Sequence, residues 1–189
     1  MKRITLICIL LLCSACAAVK YAPDNNQTVD GEATAAIVRE LARHGDWILA
    51  RGLTIPDDLV STATNMPLSH AAVYDAENDN VIEADSKGVH TTDLVEFLSK
   101  KHRVMIIRPM WSTEETAPLA VENARALIGR PYDYSGLIGL QLSNSYYCTE
   151  LAIAAYRPFI TEAPENPIPR IIMPGQMYHW GRILFDTGA

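Results

Sequence analysis

Cysteine, positive charge and long apolar runs are all scarce in this chain, and each scarcity narrows what it can be. Of 189 residues 4 are cysteine, and Cys8, Cys13 and Cys16 fall within the first 16 positions, leaving Cys148 by itself. A disulfide framework within the remainder is therefore excluded, and no set of Cys and His falls at zinc-site spacing. The 16 basic residues are outnumbered by 22 acidic ones, for a net charge of −6. That balance argues against a nucleic-acid partner and against binding anionic lipid by charge. The apolar run Ile4–Leu12 is too short to cross a bilayer as a permanent helix. No internal repeat is present.

That run instead has the form of an export signal. Lys2 and Arg3 supply a basic start, Ile4–Leu12 the apolar stretch, and Ser14, Ala15 and Cys16 a small-residue end. Cys13-Ser14-Ala15-Cys16 is similar to a bacterial lipobox, with Cys13 where Leu is usual and Leu12 one place further back. Cleavage before Cys16 makes residues 1–15 a signal peptide and Cys16 the lipidated residue; an ordinary secretory cut near Ala18 is the alternative. The charged residues then become 14 basic against 22 acidic, so attachment to the membrane rests on acyl chains. Ala17 is not the Asp that commonly retains lipoproteins at the inner membrane, so the expected location is an outer membrane, facing the periplasm. Residues 16–30, polar with Pro and Asn, read as a tether, and 31–189 as one domain. Cys148 remains as the single unpaired thiol of an exported chain.

Periodicity then lays out the elements. Glu32–Arg43 predicts an amphipathic helix burying Ala36, Ile37, Val38 and Leu41, stopped by Gly45. Asp46–Ala50 reads as a strand and Pro56–Thr64 as a short helix. Ser69–Asp75 and Asn80–Ala84 form a hairpin about Glu77-Asn78-Asp79. Gly88–Thr91 adds a short strand, Asp93–Ser99 a helix capped by Thr92, and Arg103–Arg108 another strand. Ser112-Thr113-Glu114-Glu115 matches a capping box, opening a helix that runs to Ile128 with Pro118 in its first turn. Arg130–Asn144 is loop, Tyr146–Tyr156 a helix, Pro158–Pro174 a proline-rich surface segment, and Gly181–Asp186 a closing strand. Strands in the middle with helices around them indicate α+β architecture with an antiparallel sheet.

Cys148 falls in the first turn of its helix. Free backbone N–H groups and the positive end of the helix dipole favour a thiolate there, although a small buried hydrophobe would fit the same place. A thiol that attacks an amide or ester needs an imidazole beside it, and the imidazole needs an acceptor. Of the histidines, His44 and His102 sit among charged residues near element ends, and His179 lies in a polar turn. His90 stands on a short strand, and His70 opens an apolar one. Glu83 is a carboxylate set between Val81-Ile82 and Ala84. It is either a solvated edge residue or, across a tight hairpin, a neighbour of His70 on the same face.

Five segments in order resemble a known family: Ser69-His70-Ala71-Ala72-Val73-Tyr74, Val81-Ile82-Glu83-Ala84, Gly88-Val89, Gly129-Arg130-Pro131-Tyr132-Asp133-Tyr134, and Tyr147-Cys148-Thr149-Glu150-Leu151. The pattern looks like the YaeF/YiiX family of circularly permuted papain-like (NlpC/P60-type) amidases, in which the histidine strand precedes the cysteine helix. The resemblance implies a papain-like fold, Cys148 as nucleophile, His70 as base and Glu83 as the residue that orients it. From the residues themselves no metal and no cofactor are expected. Thr149 stands where Ser is common. Tyr132 and Tyr134 are candidates for lining the cleft. Glu150 lies about 200° round the helix from Cys148, which makes it a poor base and a candidate structural or substrate-binding carboxylate. One oxyanion donor is expected to be the Cys148 N–H. The expected activity is cleavage of amide bonds in a peptide or small amide, with the peptides of peptidoglycan as one possibility. A lipid-directed acyltransferase or esterase of the lecithin:retinol acyltransferase type shares the His-before-Cys order, and a non-catalytic binding lipoprotein is the third reading.

Overall fold

The computed structural model describes residues 28–52, 67–136, 139–140, 142–161 and 165–188. The expected signal peptide, Cys16, most of the expected tether and the helix expected over 56–64 lie outside the described residues. Six antiparallel strands make one sheet in the order β4-β3-β2-β1-β5-β6. They are β1 (Trp47–Gly52), β2 (His70–Asp75), β3 (Asn80–Asp85), β4 (Gly88–Asp93), β5 (Lys101–Pro109) and β6 (Gly181–Asp186). Among the described residues the α-helices are α1 (Gly31–Leu41), α2 (Leu94–Leu98), α3 (Thr116–Arg125) and α4 (Cys148–Tyr156).

Strand alternation sorts the apolar residues into two cores, one on each face. Trp47, Leu49, Ala71, Val73, Ile82 and Ile107 meet Val121 and Ala124 of α3 and Leu151, Ala152 and Ala155 of α4. Ile48, Ala50, Ala72, Tyr74, Val81 and Ile106 meet Val38 of α1 and Leu94, Phe97 and Leu98 of α2. Both faces are covered. That is why β1 and β2 are buried along their whole length and read as continuous apolar runs, not as the alternation of a half-solvated sheet.

Three local expectations are corrected. Helix α1 buries Gly31, Thr34, Ala35 and Val38, while Ala36 and Leu41 are exposed. The i, i+3, i+4 stripe that meets α2 and the sheet is the smaller one, because the chain enters α1 close against Ser99 and leaves only enough room for Gly31. Asp93, not Thr92, caps α2, accepting from the Glu96 N–H at 3.0 Å; the Thr92 hydroxyl is spent on Glu83. The Ser112/Glu115 box does not form. Thr113 and Thr116 bond each other instead, α3 starts at Thr116, and it ends at Arg125, with turns leading to Gly129 at φ +88°.

Buried acids tie the layers together. Asp75 receives a two-pronged pair from Arg125 of α3, and Asp46 receives Arg108 and the Arg43 N–H. β6 is joined to β5 by Arg103 and Asp186 at 2.6 Å.

Candidate active site

The chain enters α4 through Tyr147, extended at φ −92° and ψ 170°, and turns helical at Cys148. Glu150 completes the helix start: its Oε2 accepts the Tyr147 N–H at 3.2 Å. Its carboxylate thus serves the helix end, where the dipole favours negative charge. Residues on either side of Cys148 grip one segment. The Thr149 hydroxyl donates to the Ile172 carbonyl at 2.6 Å, and the Ile172 N–H donates to the Tyr147 hydroxyl at 3.0 Å.

Across from this helix end, the β2–β3 register sets Ala72 opposite Glu83. His70 is therefore the diagonal neighbour, within reach of a long side chain. The His70 Nε2 lies 2.6 Å from Glu83 Oε2, and the Cys148 thiol is hydrogen-bonded to His70. With Nε2 committed to Glu83, Nδ1 is the nitrogen left for sulfur. Cys148 belongs to the α3/α4 core, whereas His70 and Glu83 share the face of Ala72 and Val81. They meet because His70 is the first residue of β2, at the end of the sheet. Phe97 of α2 backs the imidazole at 5.9 Å between ring centroids.

Relative exposures of 5 % for Cys148, 8 % for His70 and 6 % for Glu83 describe a site that is nearly dry yet not sealed. Burial alone would lower the imidazole, but its hydrogen bonds to Cys148 and Glu83 outweigh burial and hold His70 at about 9. Burial likewise pushes Glu83 up, but the bond to His70, its charge and the Thr92 hydroxyl bring it down to about 2. Each partner thus keeps its charged form through the other.

The remaining residues singled out in the sequence take their places around this line. Tyr132 forms a bridge with Tyr146, packs against the first core and meets the Tyr134 ring at 4.8 Å; Tyr134 itself is largely exposed. Several contributors escaped sequence reading. Thr92 holds Glu83 Oε1 at 2.5 Å. Its signal was the period-two spacing from His90, which puts both on the Glu83 side of the sheet. Asp133 is fully buried and accepts from Ser135, Gly136 and Leu142, so it organises the loop that leads into α4. The Asp-x-Ser spacing is the signature of such a turn. Gly136 is required there because a Cβ would come within 2.8 Å of the Tyr147 ring. The grip on Ile172 had no local signal, since 23 residues separate it from Thr149.

A sheet flanked by helices, a histidine strand that precedes the cysteine helix, and a thiol brought to an imidazole–carboxylate pair define a circularly permuted papain-like protein. The chain belongs to the family of permuted papain-like amidases described as YaeF/YiiX, C92, whose model matches residues 42–168. It is similar in structure to the metalloprotein yiiX from Escherichia coli O157:H7, with a TM-score of 0.55 and 20 % identity over 66 % of this chain and 69 % of that one. At that identity the likeness shows a shared fold. No curated protein matches the chain.

Proposed function

We propose that the protein is a cysteine amidase of the cell envelope, with Cys148 as nucleophile, His70 as base and acid, and Glu83 as the residue that orients His70. The observation that carries this reading is the continuous hydrogen-bonded line from Cys148 through His70 to Glu83. Residues 70 and 83 come from one hairpin; residue 148 comes from much later in the chain, and core packing alone gives a thiol no reason to meet that pair. In the reaction the proton of the Cys148–His70 pair rests on the imidazole while the sulfur attacks the amide carbonyl carbon. The carbonyl π electrons move onto oxygen, which the N–H of Cys148 at the helix start would receive. Collapse expels the amine, which takes its proton from His70 and leaves a thioester. Water then gives a proton to His70 and attacks the thioester, releasing the acid and the thiolate. We read Tyr132 and Tyr134, on the loop before α4, as substrate-side residues, and the substrate class as a peptide or small amide such as a peptidoglycan stem peptide. We further propose attachment to an outer membrane through lipidated Cys16.

The solved relative is described as a metalloprotein. Among the described residues, His44, Asp75 and Glu77 bring ligand atoms within 4.8 Å of one another. Arg125 already sits on them, 2.8 Å from Asp75 Oδ1 and 3.3 Å from Glu77. A cation there would face the guanidinium charge, so the cluster fits an ion-paired tie between α3 and the β2–β3 turn better than it fits a metal, and no step runs through one. The deciding experiment incubates the protein with peptidoglycan fragments and, separately, with phospholipids, and identifies products by mass spectrometry. New amine and acid ends from the peptide, absent with Cys148→Ala, are expected. Acyl products from phospholipid alone would establish acyl transfer instead, and no product from either would favour a binding protein.

A further inference from the structure

The chain leaves for Cys16 from the same end of the sheet that holds Cys148. His70 pairs with Ala50, Lys101 pairs with Gly52, and Asp85 pairs with Gly88 at the β3–β4 corner. All of these lie at one end. The Val29 N–H donates to the Lys101 carbonyl at 2.8 Å, which ties the start of the described chain to that end. Residues 16–27 separate Cys16 from it, and fully extended they reach about 40 Å. A domain of about 160 residues has a radius of gyration of about 15 Å, so a path over its surface to the opposite end is roughly 60 Å. A tether this short cannot seat the far end, where Met110 follows β5, on the bilayer that holds Cys16.

The Cys148 end also carries the most exposed large apolar side chains among the described residues: Tyr134 at 65 %, Leu140 at 60 % and Leu142 at 61 %. Their loop leaves from Pro131, which lies against the Gly88 corner. It returns to Tyr146, whose N–H donates to the Pro131 carbonyl. The polar groups of the loop turn inward: Asp133 accepts from the N–H groups of Ser135, Gly136 and Leu142, and the Leu140 N–H donates to the Ser135 carbonyl. Between Asp133 and Glu150 the sequence has no charged residue. Exposed cations stand at its base, Lys87 in the β3–β4 corner and Arg130 beside Pro131. Leucine at the tip, tyrosine beside it and cations behind suit a lipid interface, where acyl chains, headgroups and phosphates follow in that order.

We propose that Tyr134, Leu140 and Leu142 dock the protein onto the lipid surface of the membrane that carries Cys16, so that the Cys148 end rests against that surface. The proposal rests on the lipidation of Cys16 proposed above. An exposed apolar patch marks a protein or a membrane contact, and the place where the tether joins the sheet selects the membrane. The contact is apolar and does not need anionic lipid, in keeping with a chain whose net charge is −6. The loop enters α4 two residues after Tyr146, so a loop seated in lipid holds the start of that helix at the interface.

The test uses the full chain as cells process it, labelled with palmitate during growth and reconstituted into phosphatidylcholine vesicles. Some vesicles carry bromine on their acyl chains, which quenches indole emission only at close range. Leu140→Trp, Leu142→Trp and, at the far end, Met110→Trp are compared with wild type, whose own tryptophans supply the background. The emission added at 140 and at 142 is expected to be lost in brominated vesicles, and that added at 110 to be retained. Leu140→Asp placed together with Leu142→Trp should restore the emission, because a carboxylate withdraws the loop from the acyl chains. With palmitate present, unquenched emission at 140 and 142, equal loss at all three positions, or a loss that Leu140→Asp does not relieve overturns the docking and leaves the anchor standing. A wild type without palmitate removes the anchor, and this proposal with it.

Discussion

Glu83 divides its two oxygens between His70 and Thr92, and that division predicts what its amide would do. Glu83→Gln has one acceptor and one donor group where two acceptors are needed, and no charge to stabilise an imidazolium. It should fold as wild type and lose about 10²- to 10⁴-fold in turnover, measured on whichever amide substrate the wild type cleaves. The same pair makes stability depend on pH. His70 is raised from 6.5 to about 9, so its stabilisation is complete below 6.5 and is lost as pH rises through 9. Glu83 is lowered from 4.5 to about 2, so its stabilisation is complete above 4.5 and is lost as pH falls through 2. The gap in thermal midpoint between wild type and Glu83→Gln should be widest between 4.5 and 6.5 and should close towards 9. A gap independent of pH would contradict the pairing. At this scale the sequence was legible where a polar residue interrupted an apolar strand: Glu83 and His70 stood out for that reason. Thr92 did not, because a threonine beside a helix start reads as a cap until the sheet register gives its hydroxyl a better acceptor.

Among the elements, α4 is the one that must not move, since Cys148 is its first residue. Two side chains anchor its start to the segment around Ile172. Thr149→Val removes the hydroxyl and leaves the Ile172 carbonyl buried without that donor, which should cost about 1–3 kcal/mol, read from urea unfolding. Cys148 alkylation should slow as well, because the helix start loses one of its two ties; an unchanged rate with reduced stability would make the grip purely structural. Helix and strand positions were largely readable because long periodic segments declare themselves. Helix starts were not: α2 and α3 both begin on residues other than the expected caps, since Ser, Thr and Asp near an end compete for the same N–H groups and only the packed backbone decides which reaches.

Across the whole molecule, the core extends beyond the stretch that matches the family. Ile172, Met177 and Trp180 are buried in the α3/α4 core, and β6 covers β5, although the match ends at residue 168. A chain truncated after 168 should therefore be largely unfolded, losing the cooperative melt seen by circular dichroism; a truncated chain that melts like wild type would show that the closing segment is dispensable. At the other end, the proposed lipidation predicts that labelled palmitate enters the wild type and not Cys16→Ala. Equal labelling of the two would remove the membrane anchor.

Composition and local pattern by themselves determined that this is an acidic α+β chain with one thiol outside its first 16 residues, with His70 at a strand start, Glu83 in a strand and Cys148 at a helix start. Those are short-range properties, set by charge count, side-chain alternation and capping chemistry. Only the tertiary structure decided that the three converge, that both sheet faces are covered, and that Ile172 is gripped from both sides of the cysteine. Those outcomes depend on strand register, where a shift of one residue would send Glu83 to the opposite face. They depend equally on how far a helix end reaches past the edge of the sheet, a distance that side chains remote in sequence set together when they pack.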